Sequence, residues 1–155
     1  MIKKIIKVVL IVLFLAFIIV QFIRPSHVNP PVIEAETLRA SADVPPDVDA
    51  VLKRSCADCH SNETSYPWYS QITPANWFLD NHIQEGRREL NTSVWNTYPV
   101  KKKARKLDEV CEQVEKGEMP LPSYLWIHWD AALKPGEARL ICDWARSEKA
   151  KLPAE

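Results

Sequence analysis

The sequence has little glycine and no excess of either charge. Three glycines among 155 residues, with few alternating apolar segments, argue against a β-sheet protein. Its 20 basic residues equal its 20 acidic residues, whereas a nucleic-acid-binding domain is expected to be basic, so no nucleic-acid partner is predicted. Proline and tryptophan are plentiful instead, at 12 and 6 residues. The six tryptophans either fill a small core or line a large apolar cofactor.

The N-terminal segment combines positive charge with an apolar run. Lys3, Lys4 and Lys7 precede Val8–Val20, and only Arg24 follows closely. The apolar length lies between a signal-peptide core of about 7–15 residues and a membrane span of about 20. The bulky, charged residues after it do not resemble a cleavage site, which favours an uncleaved anchor over a cleaved signal. The charge asymmetry then predicts a single-pass protein of the cytoplasmic membrane, with its domain on the periplasmic, extracytoplasmic side.

Proline punctuation and apolar periodicity divide the rest of the chain. Residues 25–46 are predicted to form a proline-rich, semi-rigid tether, because proline fixes φ and favours extended chain. We therefore predict a signal anchor or transmembrane helix at residues 1–24, the tether at residues 25–46, and one globular domain at residues 47–155.

The globular part is predicted to be all-α. Apolar stripes with helical spacing and capping signals indicate about four helices, at residues 46–54, 73–90, 100–116 and 135–150. Short helices joined by long aromatic loops would bury only a thin core in a domain of this size. A large, flat, apolar cofactor would supply the missing core.

The sequence Cys56-Ala57-Asp58-Cys59-His60 is C-x-x-C-H, the attachment signature of c-type haem. The two-residue spacing places both thiols on one side of a single turn, where they can reach two vinyl groups at one edge of a porphyrin. His60 then lies beneath the iron as its ligand, and its second ring nitrogen is expected to bond a backbone carbonyl. We predict one covalent haem c per chain, held by Cys56, Cys59 and His60.

Two other interpretations of the motif are weaker. A redox C-x-x-C is expected beside a βαβ pattern, which the sequence lacks. A zinc site needs a second pair of ligands at matching spacing, and Cys111 and Cys142 are too far apart to supply it. The predicted export signal agrees with haem, since covalent attachment is made outside the cytoplasm.

Met119 is the candidate for the sixth iron ligand. It follows His60 by 59 residues, in Gly117-Glu118-Met119-Pro120, and is the only methionine outside the N-terminal segment. A His/Met pair suits electron transfer and raises the reduction potential. His82, beside the apolar stripe of the second helix, is the alternative ligand, and Met119 would then be an ordinary gap-filling residue. Candidate partners for the haem propionates, each with a structural or solvated role as alternative, are His128, Arg54, Arg87 and Arg88.

Cys111 and Cys142 lie at the apolar faces of the third and fourth predicted helices. In an oxidising compartment they can form a disulfide that joins those helices. The alternative is a pair of small buried thiols.

The chain resembles the small bacterial haem-binding domain family of cytochrome c-like proteins. The resemblance is carried by CADCHSNETSYPWYS, PANWFLDNHIQEGRRELN and KLDEVCEQVEKGEMPLPSYLWIH, and by the terminal helix around Asp143–Ala145. It implies an all-α, cytochrome c-like fold with one haem, held by Cys56, Cys59 and His60, and its Met-Pro loop matches Met119. Cys111 and Cys142 depart from the family pattern.

Three functions are compatible with these residues. The first is a membrane-anchored electron carrier, not an enzyme, whose redox partner proteins the sequence does not name. The second is a haem-based sensor of gas or redox state, or a small peroxidase-like protein, with a labile sixth ligand. The third is an interaction module in which the haem only completes the core.

Overall fold

The computed structural model describes residues 1–153, and this part of the chain is all-α, as predicted. Its α-helices are α1 (Ile2–Val20), α2 (Leu38–Ser41), α3 (Pro46–Ser55), α4 (Ala57–His60), α5 (Ala75–Glu89), α6 (Val100–Glu115), α7 (Pro122–Leu125) and α8 (Glu137–Lys151). Short 3₁₀ helices lie between them at Glu34–Glu36, Trp68–Gln71, Thr92–Thr97 and Trp129–Ala131. The four predicted helices of the domain correspond to α3, α5, α6 and α8.

Helix α3 shows why the local sequence forms a helix that ends at the haem motif. Pro46 occupies the first turn, where its missing N–H costs nothing, and Asp47 and Asp49 complement the positive end of the helix dipole. Lys53 and Arg54 complement the negative end. The helix ends at Cys56, whose backbone N–H still bonds Leu52, so the motif begins where the chain turns into α4.

Helix α1 overturns the prediction of a membrane span. In residues 1–153 the structure has no helix of sufficient length and apolarity to cross a membrane. Three lysines, at positions 3, 4 and 7, lie inside α1, so the uninterrupted apolar run is residues 8–20, shorter than the roughly 20 residues a span needs. The predicted transmembrane helix and the predicted single-pass membrane location were therefore wrong.

The residues of the predicted tether contact the domain. The Leu38 side chain is buried in the core, and the Asn29 side chain donates to the carbonyl of Thr64 at 3.0 Å. The side-chain amide of Asn62 donates in turn to the carbonyl of Pro31 at 3.2 Å. The division of the chain at residues 24 and 46 stays a prediction.

Helices α6 and α8 form the best-packed pair of the fold. Ile141 and Cys142 of α8 are fully buried, and they pack with Val51 of α3 and with Val114 of α6. Cys111 and Cys142 form a disulfide across this contact, with Cα atoms 4.6 Å apart. Of the two predicted alternatives for these cysteines, the structure has the disulfide and not a pair of buried thiols.

The tryptophans divide between core and surface. Trp95 and Trp144 are buried with Leu38, Val48 and Leu107 in a second apolar cluster. The other four are exposed to solvent, at positions 68, 77, 126 and 129. Of the two interpretations of the tryptophan content, filling a core applies to only two of the six.

Candidate functional site

The C-x-x-C-H motif forms a single helical turn, α4, that packs closely against α5. A Cβ atom at Gly86 would lie only 2.6 Å from the carbonyl oxygen of Cys59. Any larger side chain at this position would push the two helices apart. The glycine in the apolar stripe of α5 therefore allows the motif to sit directly on the helix.

The same contact orients His60. Its Nδ1 atom lies 3.0 Å from the carbonyl oxygen of Gly86 and 3.0 Å from that of Leu90, so Nδ1 carries the proton and donates to the end of α5. Burial lowers the pKa of His60, although these two carbonyls act in the opposite direction. The ring is consequently neutral, with its Nε2 lone pair available to a metal ion. The backbone carbonyl partner expected for His60 is thus present.

Two neighbouring cavities are lined by residues of both α4 and α5. One has a volume of about 240 Å³, and its lining includes Cys56, Cys59, His60 and Met119. The other, of about 590 Å³, is lined mainly by apolar side chains such as Leu79 and Ile127. Cys59, His82, Leu121 and Tyr124 line both, so the two cavities adjoin and form one cleft. None of the six tryptophans is among these lining residues.

The two motif cysteines remain thiols at neutral pH. Burial raises the pKa of Cys56 to about 12, with the neighbouring Cys59 adding to the effect. Burial likewise raises the pKa of Cys59 to about 11, and Asp58 contributes. A redox-active C-x-x-C pair needs a thiol pKa well below the ordinary value, so these two cysteines lack the electrostatic setting of a thiol–disulfide oxidoreductase.

Met119 is brought to the cleft by the turn that ends α6. Gly117 has φ +68°, the left-handed conformation that glycine adopts without strain at a helix C-terminus. The backbone N–H groups of Glu118 and Met119 both donate to the carbonyl of Gln113, at 3.0 and 3.2 Å. A residue 59 positions from His60 in sequence thus lines the same cavity.

The alternative ligand His82 lies at the boundary of the two cavities. Its Nδ1 bonds the carbonyl of Phe78 at 2.7 Å, and its side chain lines both volumes. The structure therefore brings His82 and Met119 to the same cleft as His60.

Arg87, Arg54 and His128 have protein partners. The guanidinium of Arg87 donates to Ser61, Asn29 and Thr64 at 2.8–2.9 Å, which supports the chain just after His60. Arg54 pairs with Glu137 of α8. His128 bonds the hydroxyl of Tyr69 through Nε2 at 2.7 Å.

Tyr124 and Asp58 are site residues that sequence reasoning missed. The Tyr124 hydroxyl donates to Asp58 Oδ2 at 2.7 Å, and its ring lines both cavities. Burial, followed by the hydrogen bond to Asp58, raises the pKa of Tyr124. Asp58 could have been found by its place inside the motif, but no sequence pattern links it to Tyr124.

The donor set and the cleft fit a haem. A neutral imidazole and a thioether are ligands that haem iron accepts, and two thiols lie beside them. A mainly apolar volume of about 590 Å³ is within the range of roughly 300–1,000 Å³ usual for ligand sites. When a haem is bound, His60 would hold the iron, and Cys56 and Cys59 would hold the porphyrin edge.

Comparison with known proteins agrees with this fit. The family model of the haem-binding domain matches residues 15–147 of the chain. No curated protein matches the sequence significantly. No solved structure matches it significantly either.

Proposed function

The chain belongs to the haem-binding domain family, and we propose that it is a c-type cytochrome that carries one covalent haem and transfers single electrons. Cys56 and Cys59 attach the haem, His60 is the first axial ligand, and Met119 is the second. The protein is proposed to be a carrier rather than an enzyme.

One observation carries the proposal. The four residues proposed from the sequence, Cys56, Cys59, His60 and Met119, line a single cavity. Met119 lies in the loop after α6, far in sequence from the other three. Their shared cavity supports both covalent attachment of the haem and Met119 as the sixth ligand of the iron.

Covalent attachment requires two thiols beside an apolar volume. When a haem is bound, Cys56 and Cys59 would each hold it through a thioether: the S–H of the thiol would add across one vinyl group, with sulfur bonded to one vinyl carbon and hydrogen to the other. No electrons are exchanged with a third reagent.

The axial residues favour electron transfer over catalysis. A haem supplies an iron that alternates between two oxidation states, and a His/Met pair fills both axial positions and raises the potential. His60 is held by two carbonyls, so it stays in place during the change of charge. The mainly apolar lining of the cleft would limit water around a bound haem and so would reduce the solvent reorganisation that accompanies electron transfer.

Covalent attachment is tested with Cys56→Ala, Cys59→Ala and the double variant, each expressed with the haem-attachment machinery. The wild type is expected to retain haem through denaturing electrophoresis and acid–ketone extraction, and the double variant to lose it. Cys111→Ala is the matched control, since that thiol belongs to the disulfide. Haem that is fully extractable from the wild type would refute the c-type assignment.

The sixth ligand is tested with absorption and resonance Raman spectra of Met119→Ala and His82→Ala. Loss of a low-spin Met–iron signature in Met119→Ala alone supports the carrier. Loss in His82→Ala alone assigns His82 as the ligand. A high-spin ferric wild type that binds carbon monoxide or peroxide without ligand loss would favour the sensor or peroxidase-like function instead.

A further inference from the structure

A single side-chain hydrogen bond joins the haem-attachment motif to the chain segment that carries Met119. The hydroxyl of Tyr124 in α7 donates to Asp58 Oδ2 at 2.7 Å, across 66 residues of sequence. Asp58 is the second variable residue of C-x-x-C-H, and Tyr124 follows Met119 by five residues. The two axial-ligand segments are therefore linked independently of any bound group.

Asp58, whose carboxylate accepts this hydrogen bond, is also held by two hydrogen bonds that do not involve Tyr124. Asp58 Oδ1 accepts the backbone N–H of Ser65 at 3.0 Å, and the Asp58 carbonyl accepts the hydroxyl of Thr64 at 2.6 Å. These bonds leave Oδ2 as the free acceptor. A carboxylate fixed in this way is a stronger anchor than a mobile one, because little entropy is lost when the tyrosine binds.

The tyrosine is fixed from its other face as well. Its ring stacks on His128, with ring centres 4.3 Å apart and planes within 9°. His128 is held in turn by the Tyr69 hydroxyl at 2.7 Å. Tyr124 is thus confined between Asp58 and His128 while it forms part of the wall of both cavities.

The Met119 loop, residues 116–121, is consequently held at both ends. At its start, Gly117 and the bonds to Gln113 fix the turn that leaves α6. At its end, α7 is fixed through Tyr124. Only six residues, 118–123, lie between Gly117 and Tyr124, which leaves the Met119 thioether little freedom to move away from the cavity.

We propose that Asp58 and Tyr124 are positioning residues for the sixth ligand. Their hydrogen bond holds the Met119 loop over the cleft and so hinders external ligands from reaching the iron. The inference rests on the proposed function, since it requires Met119 to be that ligand. Without the bond, Met119 still ligates but yields more readily to an external ligand.

The test measures imidazole binding to the full-length, haem-loaded ferric protein, because imidazole must displace the sixth ligand to bind. Tyr124→Phe removes only the hydroxyl, and imidazole is expected to bind on the order of tenfold tighter, which is the usual effect of losing a hydrogen bond to a charged acceptor. Tyr66→Phe is the matched control, since the Tyr66 hydroxyl makes no hydrogen bond within residues 1–153. Circular dichroism of each variant verifies folding.

Conservative replacement gives a second readout. Asp58→Asn keeps an oxygen acceptor and is expected to retain most of the wild-type resistance to imidazole. Asp58→Ala is expected to match Tyr124→Phe. Equal behaviour of the Asn and Ala variants would overturn the hydrogen-bonding role.

The Met119→Ala background separates this inference from the proposed function. There, Tyr124→Phe is expected to leave imidazole affinity unchanged, because no thioether remains to be positioned. An equal gain in both backgrounds would show that the hydroxyl controls access to the cleft, and would overturn the proposal. A Met119→Ala spectrum identical to that of the wild type would overturn the assignment of Met119 as the ligand. If that spectrum changes but Tyr124→Phe alone leaves imidazole affinity unchanged, only the positioning role is overturned.

Discussion

The α6–α8 pair and the cleft around α4 are stabilised by different means. Between α6 and α8, apolar side chains such as Ile141 are completely buried, and a disulfide joins the helices. Around α4, the contacts are hydrogen bonds to backbone carbonyls and a close approach at Gly86, beside an open volume of about 590 Å³.

The difference separates the scaffold from the site. The α6–α8 pair completes its own core, so its stability does not depend on a ligand. Apolar side chains such as Phe78 and Ile127 line the cleft and are exposed, so a bound haem would bury them and would add stability by binding only the folded state. Three changes would break or sharpen this contrast.

The largest effect is expected from removing the disulfide. The bridge closes a loop with a sequence separation of 31, for which the chain-entropy model gives about 3.7 kcal/mol of stabilisation. Cys111→Ala with Cys142→Ala should lower the free energy of unfolding in urea by about that amount. The spectrum of the haem-loaded protein should not change, and a shifted spectrum would contradict the separation of scaffold from site.

Gly86→Ala is expected to lower the free energy of unfolding by less than loss of the disulfide does. Unlike that loss, it should also alter haem attachment and the haem spectrum. The added Cβ would meet the Cys59 carbonyl oxygen at 2.6 Å, and overpacking of this kind costs about 1–3 kcal/mol. Because α4 would shift, we also expect a lower yield of covalent haem and an altered His60–iron stretching frequency. Gln84→Ala, exposed on the same helix, is the control, and a Gly86→Ala protein with unaltered haem would refute the close-packing role.

The smallest effect concerns the ion pair that joins the two regions. Burial raises the pKa of Glu137, but the hydrogen bonds from Arg54 and from the Lys134 backbone outweigh it and hold the pKa below the ordinary value of 4.5. The folded state therefore binds this proton less readily than the unfolded state. The stabilisation is present above pH 4.5 and is lost as the pH falls through the lowered pKa.

Glu137→Gln should remove that pH dependence. Urea unfolding from about pH 5 to about pH 3 should show a decline in stability shallower by about 1 kcal/mol than in the wild type. Glu34→Gln is the matched control, because Glu34 is exposed and forms no ion pair in residues 1–153. Parallel pH profiles for wild type and Glu137→Gln would show that the pair does not join the regions energetically.

Much of the fold could be predicted from local sequence. The bounds of α3, α5, α6 and α8 agree with the predicted helices to within about two residues, because apolar spacing and capping residues act within a few turns. The membrane span was predicted wrongly, because Lys3, Lys4 and Lys7 were treated as flanking charge, whereas α1 includes them. The disulfide was left open, because pairing depends on how two helices meet.

The sequence by itself determined the C-x-x-C-H motif, the helical periodicity and the all-α class, since each depends on residues close together along the chain. Only the tertiary structure decided that Met119 and His82 share a cleft with His60. It also decided that the carbonyls of Gly86 and Leu90 accept the hydrogen bond from His60 Nδ1, and that the Tyr124 hydroxyl donates to Asp58. The residues in these pairs lie 22 to 66 positions apart in sequence. Local propensity acts over a few residues and does not predict which distant residues meet, because those contacts depend on how whole helices pack.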